Sequence, residues 1–587
     1  MKALRRSTLL WCSLVMFGCG SPTESTAPIE VVTTVAKGND NEVDDQTRIH
    51  GRLLGHDGQP ISLAEVHATV SGQPPIDVAV AADGSFALEL PVPGWTRLRL
   101  TGVNHEEHTL AFLADKGEHE LSARLGTYER PESYESVAGL GRFDGKGGRV
   151  NLSFTRRDDG TWAARVEKGE AGAKAKEFHY QIRNATREGR TINGSSADRY
   201  QYDGGGDYYS VVTLSGDDAF ELVWDPRALP PAGAAFEVQF ADPSSSIARS
   251  AQMMETIAGY RIEAMSGVET ALAAGAKDLP KLVEQAHAQL RTRLAEVAAS
   301  EADPVLRRML LVAWADTLDR DPSDEQRAEL AEQAKQALTE LGPRDPIWAM
   351  EEWAMARALA YVDDPQYFAI AAAEHPDPAV GASLWLTALI DADEAGDLER
   401  AREAMAALEQ PRFAEVESLP LAKMYSPDRP TAPGRTVPDF RVRSADGKTE
   451  YSASDLRGKT YVLDFWATWC GPCIADMPRL HAAYATLNGQ PPVEGRKYKA
   501  IAKPKLELIS ISFDHDNKVV NKFRKEQWPM PWAHAVPDEA THKQLSELFG
   551  IVGIPTMVLV GPDGTILASS PRLDGGNLGE IAGPHLR

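Results

Sequence analysis

The sequence predicts a multidomain protein with N-terminal β-sandwich modules, a central α-helical hairpin array and a C-terminal α/β domain. Three observations carry this. Short alternating apolar runs broken by Gly- and Asp-rich turns fill residues 47–243, and Ala-, Leu-, Glu- and Arg-rich sequence with helical spacing fills 244–425. A strand and helix alternation then follows a joint marked by Pro427, Pro430 and Pro433. A length of 587 residues suits several separate cores. With 43% hydrophobic and 25% charged residues the chain is ordinary globular protein, which excludes a fibrous, disordered or multi-span membrane class. The net charge of −23 repels phosphate backbones, so no nucleic-acid partner is expected.

At the start, Lys2, Arg5 and Arg6 precede the apolar run Thr8 to Gly18, too short to cross a ~30 Å hydrocarbon core, which reads as a secretory signal. It ends in Met16-Phe17-Gly18-Cys19, which resembles in part the lipobox of bacterial lipoproteins: a small residue precedes the Cys, but Met16 stands where Leu is usual. The resemblance implies a signal peptide over 1–19, lipidation of Cys19 and a periplasm-facing protein of the cell envelope. Gly20, in place of Asp, points by the same resemblance to the outer membrane. A plain signal peptide cleaved nearby is the alternative. Residues 20–46, rich in Ser, Thr, Pro, Asn and acids, read as a flexible linker. Of the 4 cysteines, a mature chain acylated at Cys19 keeps only Cys470 and Cys473 for chemistry. An exported protein that spends both on one CxxC points to redox work.

Residues 47–126 carry turns at Gly55-His56-Asp57-Gly58 and Asp83-Gly84 between alternating runs. GRLLGHDGQPISLAEVHATV and DGSFALELP resemble the carboxypeptidase regulatory-like module, a β-sandwich that is usually a spacer or adhesive unit. Residues 127–243 read as a second β-rich domain. In 244–425, Leu282, Ala286, Leu290 and Leu294 share one helix face. Asp-Pro pairs at 303–304, 321–322, 345–346, 364–365 and 377–378 predict helix starts, the Asp capping free N–H groups and the Pro fitting the first turn. Residues 382–408 resemble one tetratricopeptide-type hairpin, a class that binds proteins or spaces domains.

The chemistry sits in 426–587. Thr460 to Cys473 reads as a buried strand running into Trp469-Cys470-Gly471-Pro472-Cys473 at a helix start. With Pro438-Asp439-Phe440, Gly553-Ile554-Pro555-Thr556 and Pro562-Asp563-Gly564, this resembles the thioredoxin superfamily, and in particular its anchored extracytoplasmic thiol–disulfide oxidoreductases. No second Cys or His pair at ligand spacing accompanies the CxxC, so no metal and no cofactor is expected. A helix N-terminus favours a thiolate, so Cys470 is the expected nucleophile and Cys473, one turn on, the resolving thiol. The resemblance implies a cis peptide before Pro555 and a client groove formed by Trp469, Gly471, Pro472, Ile554 and Thr556. It also implies protein disulfides as clients and a membrane thiol donor as reductant. Gly-Pro between the cysteines matches thioredoxin, near about −270 mV against about −120 mV for DsbA, which leans toward a reductase. Pro478 is expected to kink the helix.

Two acids are candidate bases for the resolving thiol. Asp464 matches the buried acid of thioredoxins, with Ser510 in the position of that acid's Lys partner. Asp476 stands where the anchored branch often carries Glu. The sequence does not choose between them. Residues 489–505, with Arg496, Lys497, Lys499, Lys503 and Lys505, read as a solvated basic insertion. His105 and His108 fall on opposite faces of a predicted strand and are not expected to share a metal. Two rivals remain: a peroxiredoxin-like peroxidase, against which Ala467 occupies the position of the expected Thr, and a surface-binding lipoprotein with an accessory redox domain.

Overall fold

The computed structural model describes residues 46–586 except 92–93, 145–148, 173, 188, 217, 275, 277–278 and 492–499. Residues 1–45, with Cys19, therefore lie outside the described residues, as do Arg496, Lys497 and Lys499. Among the described residues no helix is long and apolar enough to cross a membrane. The order is a β-rich N-terminal region, a helical middle and a C-terminal α/β domain. The chain divides between Ala354 and Met355 into two compact units.

In the first unit the alternating runs become strands with one face in and one out; Thr47–Leu54, for example, buries Ile49 and Leu53. Two four-stranded sheets form from 47–124 and 237–240. Ile49, Leu88 and Leu121 of one meet Val66, Leu98 and Phe112 of the other in a shared core. Strand Glu237–Phe240 lies beyond the first β module in sequence, yet it pairs antiparallel with Gly117–Arg124 and completes the first sheet. The intervening chain builds a seven-stranded sheet around Trp162, Phe178, Tyr180 and Trp224. Long helices follow, Ser246–Ala273 first among them.

Four of the Asp-Pro pairs start helical turns as their chemistry requires: Asp303, Asp345, Asp364 and Asp377 each accept a backbone N–H two or three residues on. Asp321-Pro322 does not. There Ser323 caps Asp324–Leu341, and Gln326 returns a bond to the Ser323 N–H. That reciprocal pair satisfies two free donors at once, which a single Asp cap does not.

In the second unit, α1 (Pro365–Glu374), α2 (Pro378–Ala395) and α3 (Leu398–Leu408) follow one another closely. The α2 to α3 turn is made by Gly396, at φ 71°, a left-handed conformation that favours glycine. The α/β domain then runs β1 (Arg441–Arg443), β2 (Glu450–Ser452), β3 (Thr460–Trp466), α4 (Gly471–Leu487), β4 (Leu506–Ser512), α5 (Asn517–Glu526), β5 (Ala533–Ala535), α6 (Glu539–Phe549), β6 (Thr556–Val560), β7 (Ile566–Ser569) and α7 (Leu578–Ala582). β1 and β2 form a hairpin. The main sheet has the order β5-β4-β3-β6-β7, with β3 parallel to β4 and antiparallel to β6.

All seven residues of β3 are buried, which is why its sequence is a near-continuous apolar run. Val462 and Trp466 face the core built with Met477, Leu480 and Tyr484 of α4, whereas Tyr461, Leu463 and Phe465 face Phe440, Leu545 and Phe549. By this alternation Asp464 points to the α4 side. The C-terminal end of β3 opens into the α4 start, the usual place for a site in such a sheet.

The cap assignments are testable. Asp364→Ala should cost about 1 kcal/mol locally, read as roughly fivefold faster amide exchange at Tyr367, whose N–H the Asp364 side chain accepts at 2.9 Å. Unchanged exchange there would remove the cap as the reason this helix starts where it does.

Candidate active site

Cys470 is the N-cap of α4 and is disulfide-bonded to Cys473. The Cys473 N–H donates to Cys470 Sγ at 3.2 Å, so the helix presents one of its free amides to the sulfur that the sequence marks as nucleophile. Both cysteines are buried in the disulfide form. Gly471 and Pro472 form the first turn, with Pro in a position that needs no N–H. Pro478 lies inside α4, and the helix runs on past it to Leu487.

The second wall comes from the turn into β6. The Ile554-Pro555 peptide is cis, and Cys470 Sγ lies 3.7 Å from the Ile554 carbonyl oxygen. Thr556 Oγ1 donates to the Gly553 carbonyl at 2.6 Å and braces that turn. Trp469 is 66% exposed beside the pair, and Val552 is exposed on the same turn as Pro555. Trp466 instead is wholly buried against Phe523, at 5.3 Å between rings, and is a core residue.

The approach to the cysteines is held by a residue the sequence reading missed. Asp514, just past β4, accepts the Thr468 N–H at 2.9 Å and the Thr468 hydroxyl at 2.7 Å. Ser512 Oγ donates to the same carboxylate at 2.6 Å. The buried Asp514 thus pins the turn that carries Trp469 and Cys470.

The two acids occupy different surroundings. Asp464 is directly cross-strand from Ser510 and accepts its hydroxyl at 2.6 Å. Trp532 Nε1 donates to Ser510 Oγ at 2.8 Å, which turns the single serine proton toward Asp464. His481 packs on the Trp532 ring at 4.5 Å; its Nδ1 donates to the Met477 carbonyl and its Nε2 accepts the Met530 N–H. Burial pushes His481 down to about 4, in keeping with that neutral tautomer. Burial pushes Asp464 up to about 7, with Ser510 opposing and the Asp476 charge adding. Asp476 Oδ2 accepts the Gly575 N–H at 2.8 Å and Oδ1 accepts Arg479 Nε at 2.8 Å, while burial raises its carboxyl. Ser510 stands where the sequence matching put the partner of Asp464, whereas the Trp532 bond that orients its hydroxyl leaves no mark in the sequence.

Other candidate positions do not converge. His105 Nδ1 lies 2.9 Å from the Val103 carbonyl, and His108 stacks on Phe236 at 3.5 Å between rings. Among the described residues no group of three or more His, Cys, Asp or Glu side chains is arranged to hold a metal ion.

A Cys pair heading the helix after the central strand, facing a cis-proline turn and lying on the same sheet face as a buried acid, defines a thioredoxin-like domain. Residues 458–566 match the family model described as thioredoxin-like. The chain is 35% identical over 143 residues to probable nucleoredoxin 3 of Oryza sativa subsp. japonica, covering 24% of this chain and 27% of that one. It is 30% identical over 139 residues to the thiol-disulfide oxidoreductase ResA of Oceanobacillus iheyensis, covering 23% of this chain and 62% of that one. Among solved structures, the thioredoxin domain of a thiol-disulfide oxidoreductase from Bacteroides vulgatus aligns with 23% identity and a TM-score of 0.22, covering 27% of this chain and 99% of that one. The chain thus spans less than two thirds of the length of these two named relatives.

Asp464 gives a pH signature. Its folded-state value lies above its ordinary 3.8, so the folded protein holds a proton that the unfolded chain releases between that value and about 7. The Asp464 contribution to stability falls as pH rises through this window, while His481 and His534, which burial keeps neutral down to about 4 and about 3, contribute in the opposite sense. The stability of the wild type relative to Asp464→Asn, read in thermal melts followed by tryptophan fluorescence, should fall across this window. Ser510→Ala, which removes a donor to the anion, should extend the fall upward by about one pH unit. A Ser510→Ala profile identical to wild type would discount the hydroxyl's influence.

Proposed function

We propose that the protein is an extracytoplasmic thiol–disulfide oxidoreductase that reduces disulfides in protein clients. The observation that carries this reading is the Cys470–Cys473 disulfide at the head of α4, with the Cys473 N–H on Cys470 Sγ. In the reduced form the Cys470 thiolate attacks a client disulfide. One client sulfur leaves as thiolate and the other stays bound to Cys470. Cys473 loses its proton to a base and attacks Cys470 Sγ, releasing the second client thiolate and closing the internal disulfide. Two electrons pass to the client, and a membrane dithiol returns them to the pair.

Asp464 is the favoured base. It lies on the sheet face that packs under the cysteines, and a value near 7 suits proton exchange at neutral pH. Asp476 is held by two donors and acts on the charge around it. Trp469, Gly471, Pro472, Ile554, Pro555 and Thr556 form the client groove, where an extended segment can pair with the backbone beside Pro555. The N-terminal sequence supports export with Cys19 as a lipid anchor in the cell envelope, and 20–46 as the leash. The β-rich modules, one of them a carboxypeptidase regulatory-like sandwich, then stand between the leash and the redox domain in the order of the chain.

Cys470→Ser should reduce the catalysed reduction of insulin by dithiothreitol to the uncatalysed rate, whereas Cys473→Ser should accumulate mixed disulfides with clients. Full activity in the Cys470→Ser protein would sink the assignment. The direction of flow is read separately by trapping thiols in intact cells with a mass-shifting alkylating reagent. The pair should be found reduced; a pair wholly oxidised, and unaffected by deletion of the membrane donor, would make the protein an oxidant or isomerase.

A further inference from the structure

The amide that Asp476 accepts belongs to a segment anchored outside the thioredoxin-like fold. Gly575 lies in residues 570–577, between β7 and α7. A Cβ at Gly575 would stand 2.6 Å from the Leu480 nitrogen and 2.8 Å from Asp476 Oδ2, so only glycine lets this backbone reach α4. The segment is wound on itself: Asp574 Oδ1 accepts the N–H groups of Gly576 and Asn577, and Asn577 Nδ2 donates to the Arg572 carbonyl at 2.8 Å. At its head, Ser570 Oγ accepts the Met557 N–H at 2.9 Å, two residues from Pro555. One short loop therefore touches both walls of the redox site.

Its third attachment leaves the domain. Arg572 Nε lies 2.6 Å from Asp393 Oδ2 on α2, and Asp393 Oδ1 accepts Arg429 Nη1 at 2.9 Å. Arg429 Nη1 also donates to the Ser426 carbonyl at 3.0 Å. The side chains of Asp393 and Arg429 are only 10% and 4% exposed, and Arg572, at 27%, closes the edge of this interior pair. The buried Asp393 carboxylate lies between two guanidiniums, and Arg572 reaches it from the 570–577 segment.

We propose that Asp393 and Arg572 are positioning residues for the redox site: together they fix the 570–577 segment, and with it the Gly575 N–H on Asp476. α2 is then a working part of the redox unit. This inference rests on the thiol–disulfide reading above. A backbone N–H on a carboxylate favours its anion, so freeing Gly575 makes Asp476 protonate at higher pH. The charged groups facing Asp476 are Arg479 on its own helix, Asp574 in the segment and Asp464 on β3, and Asp464 feels the Asp476 charge in turn. The electrostatic setting of Cys473 changes with it.

The test uses the reduced full-length chain carrying Cys12→Ser and Cys19→Ser, mixed with an aryl disulfide reagent. Attack by Cys470 releases one aryl thiolate and leaves a mixed disulfide; attack by Cys473 on Cys470 Sγ releases the second. The first phase reports Cys470 and the integrity of the fold, the second the setting of Cys473. Arg572→Met leaves the Asp393–Arg429 pair intact. It should preserve the first phase and move the pH midpoint of the second by about 0.5 unit or more, in the same direction as Gly575→Ala. Arg572→Lys, which can still reach Asp393, should restore the wild-type profile. A second-phase profile shifted by Gly575→Ala but not by Arg572→Met overturns the helical anchor, as does a profile that neither variant moves. A wild-type chain that releases only one thiolate overturns the functional reading, and this proposal with it.

Discussion

The C-terminal domain is organised around one demand, that the sulfur of Cys470 be held at the first turn of α4 where backbone amides are free. A helix terminus offers an anion on the order of 0.3–1 kcal/mol at an exposed site and up to about 2 kcal/mol when partly buried, and the effect fades within one turn. The sulfur must therefore be placed closely, and much of the surrounding structure serves that placement. β3 is buried on both faces and fixes the strand end; Asp514 pins Thr468 and so the turn after it; the Gly553–Thr556 turn closes the opposite side. None of these groups performs exchange chemistry. Each removes a freedom the Cys470 turn would otherwise have.

The parts legible in the sequence are those whose physics is local. A buried strand, a CxxC at a helix start and a turn containing Pro555 announce themselves within a few residues, and the thioredoxin-like architecture followed from them. Asp-Pro helix starts were legible for the same reason, and the exception at Asp321 fails on a local ground, since the neighbouring Ser323 makes a better cap with Gln326. The hidden parts join residues far apart in the chain. Asp514 with Thr468, Trp532 with Ser510 and Arg572 with Asp393 are polar contacts between elements, and no periodicity or motif points from one member to the other. Ser510 was visible as a departure from the family pattern. Its meaning required Trp532, which sits on the far side of β4 in sequence and fixes which way the hydroxyl points.

The two acids near the cysteines are both raised by burial, but they are restrained by different means. Asp464 has one neutral hydroxyl donor, whose proton is directed by an indole that is itself packed on a neutral histidine. Asp476 has a backbone amide and a guanidinium. A neutral donor stabilises a buried anion less than a cation does, which leaves Asp464 able to exchange a proton near neutrality. Asp476 depends instead on a backbone that another part of the unit must hold in place. The two carboxylates thus differ in the kind of neighbour that restrains them.

The late return of Glu237–Phe240 to the first sheet bears on how the N-terminal unit acquires its structure during synthesis. Until that strand emerges, Gly117–Arg124 is an open sheet edge with unpaired amides and carbonyls, a surface able to pair with other chains. The whole seven-stranded sheet is encoded between the two partners, so the closure spans a long stretch of chain and raises the contact order of the unit. The last strand of the first sheet is synthesised after every strand of the second. A nascent chain halted between the two partners would carry the Gly117–Arg124 edge unpaired.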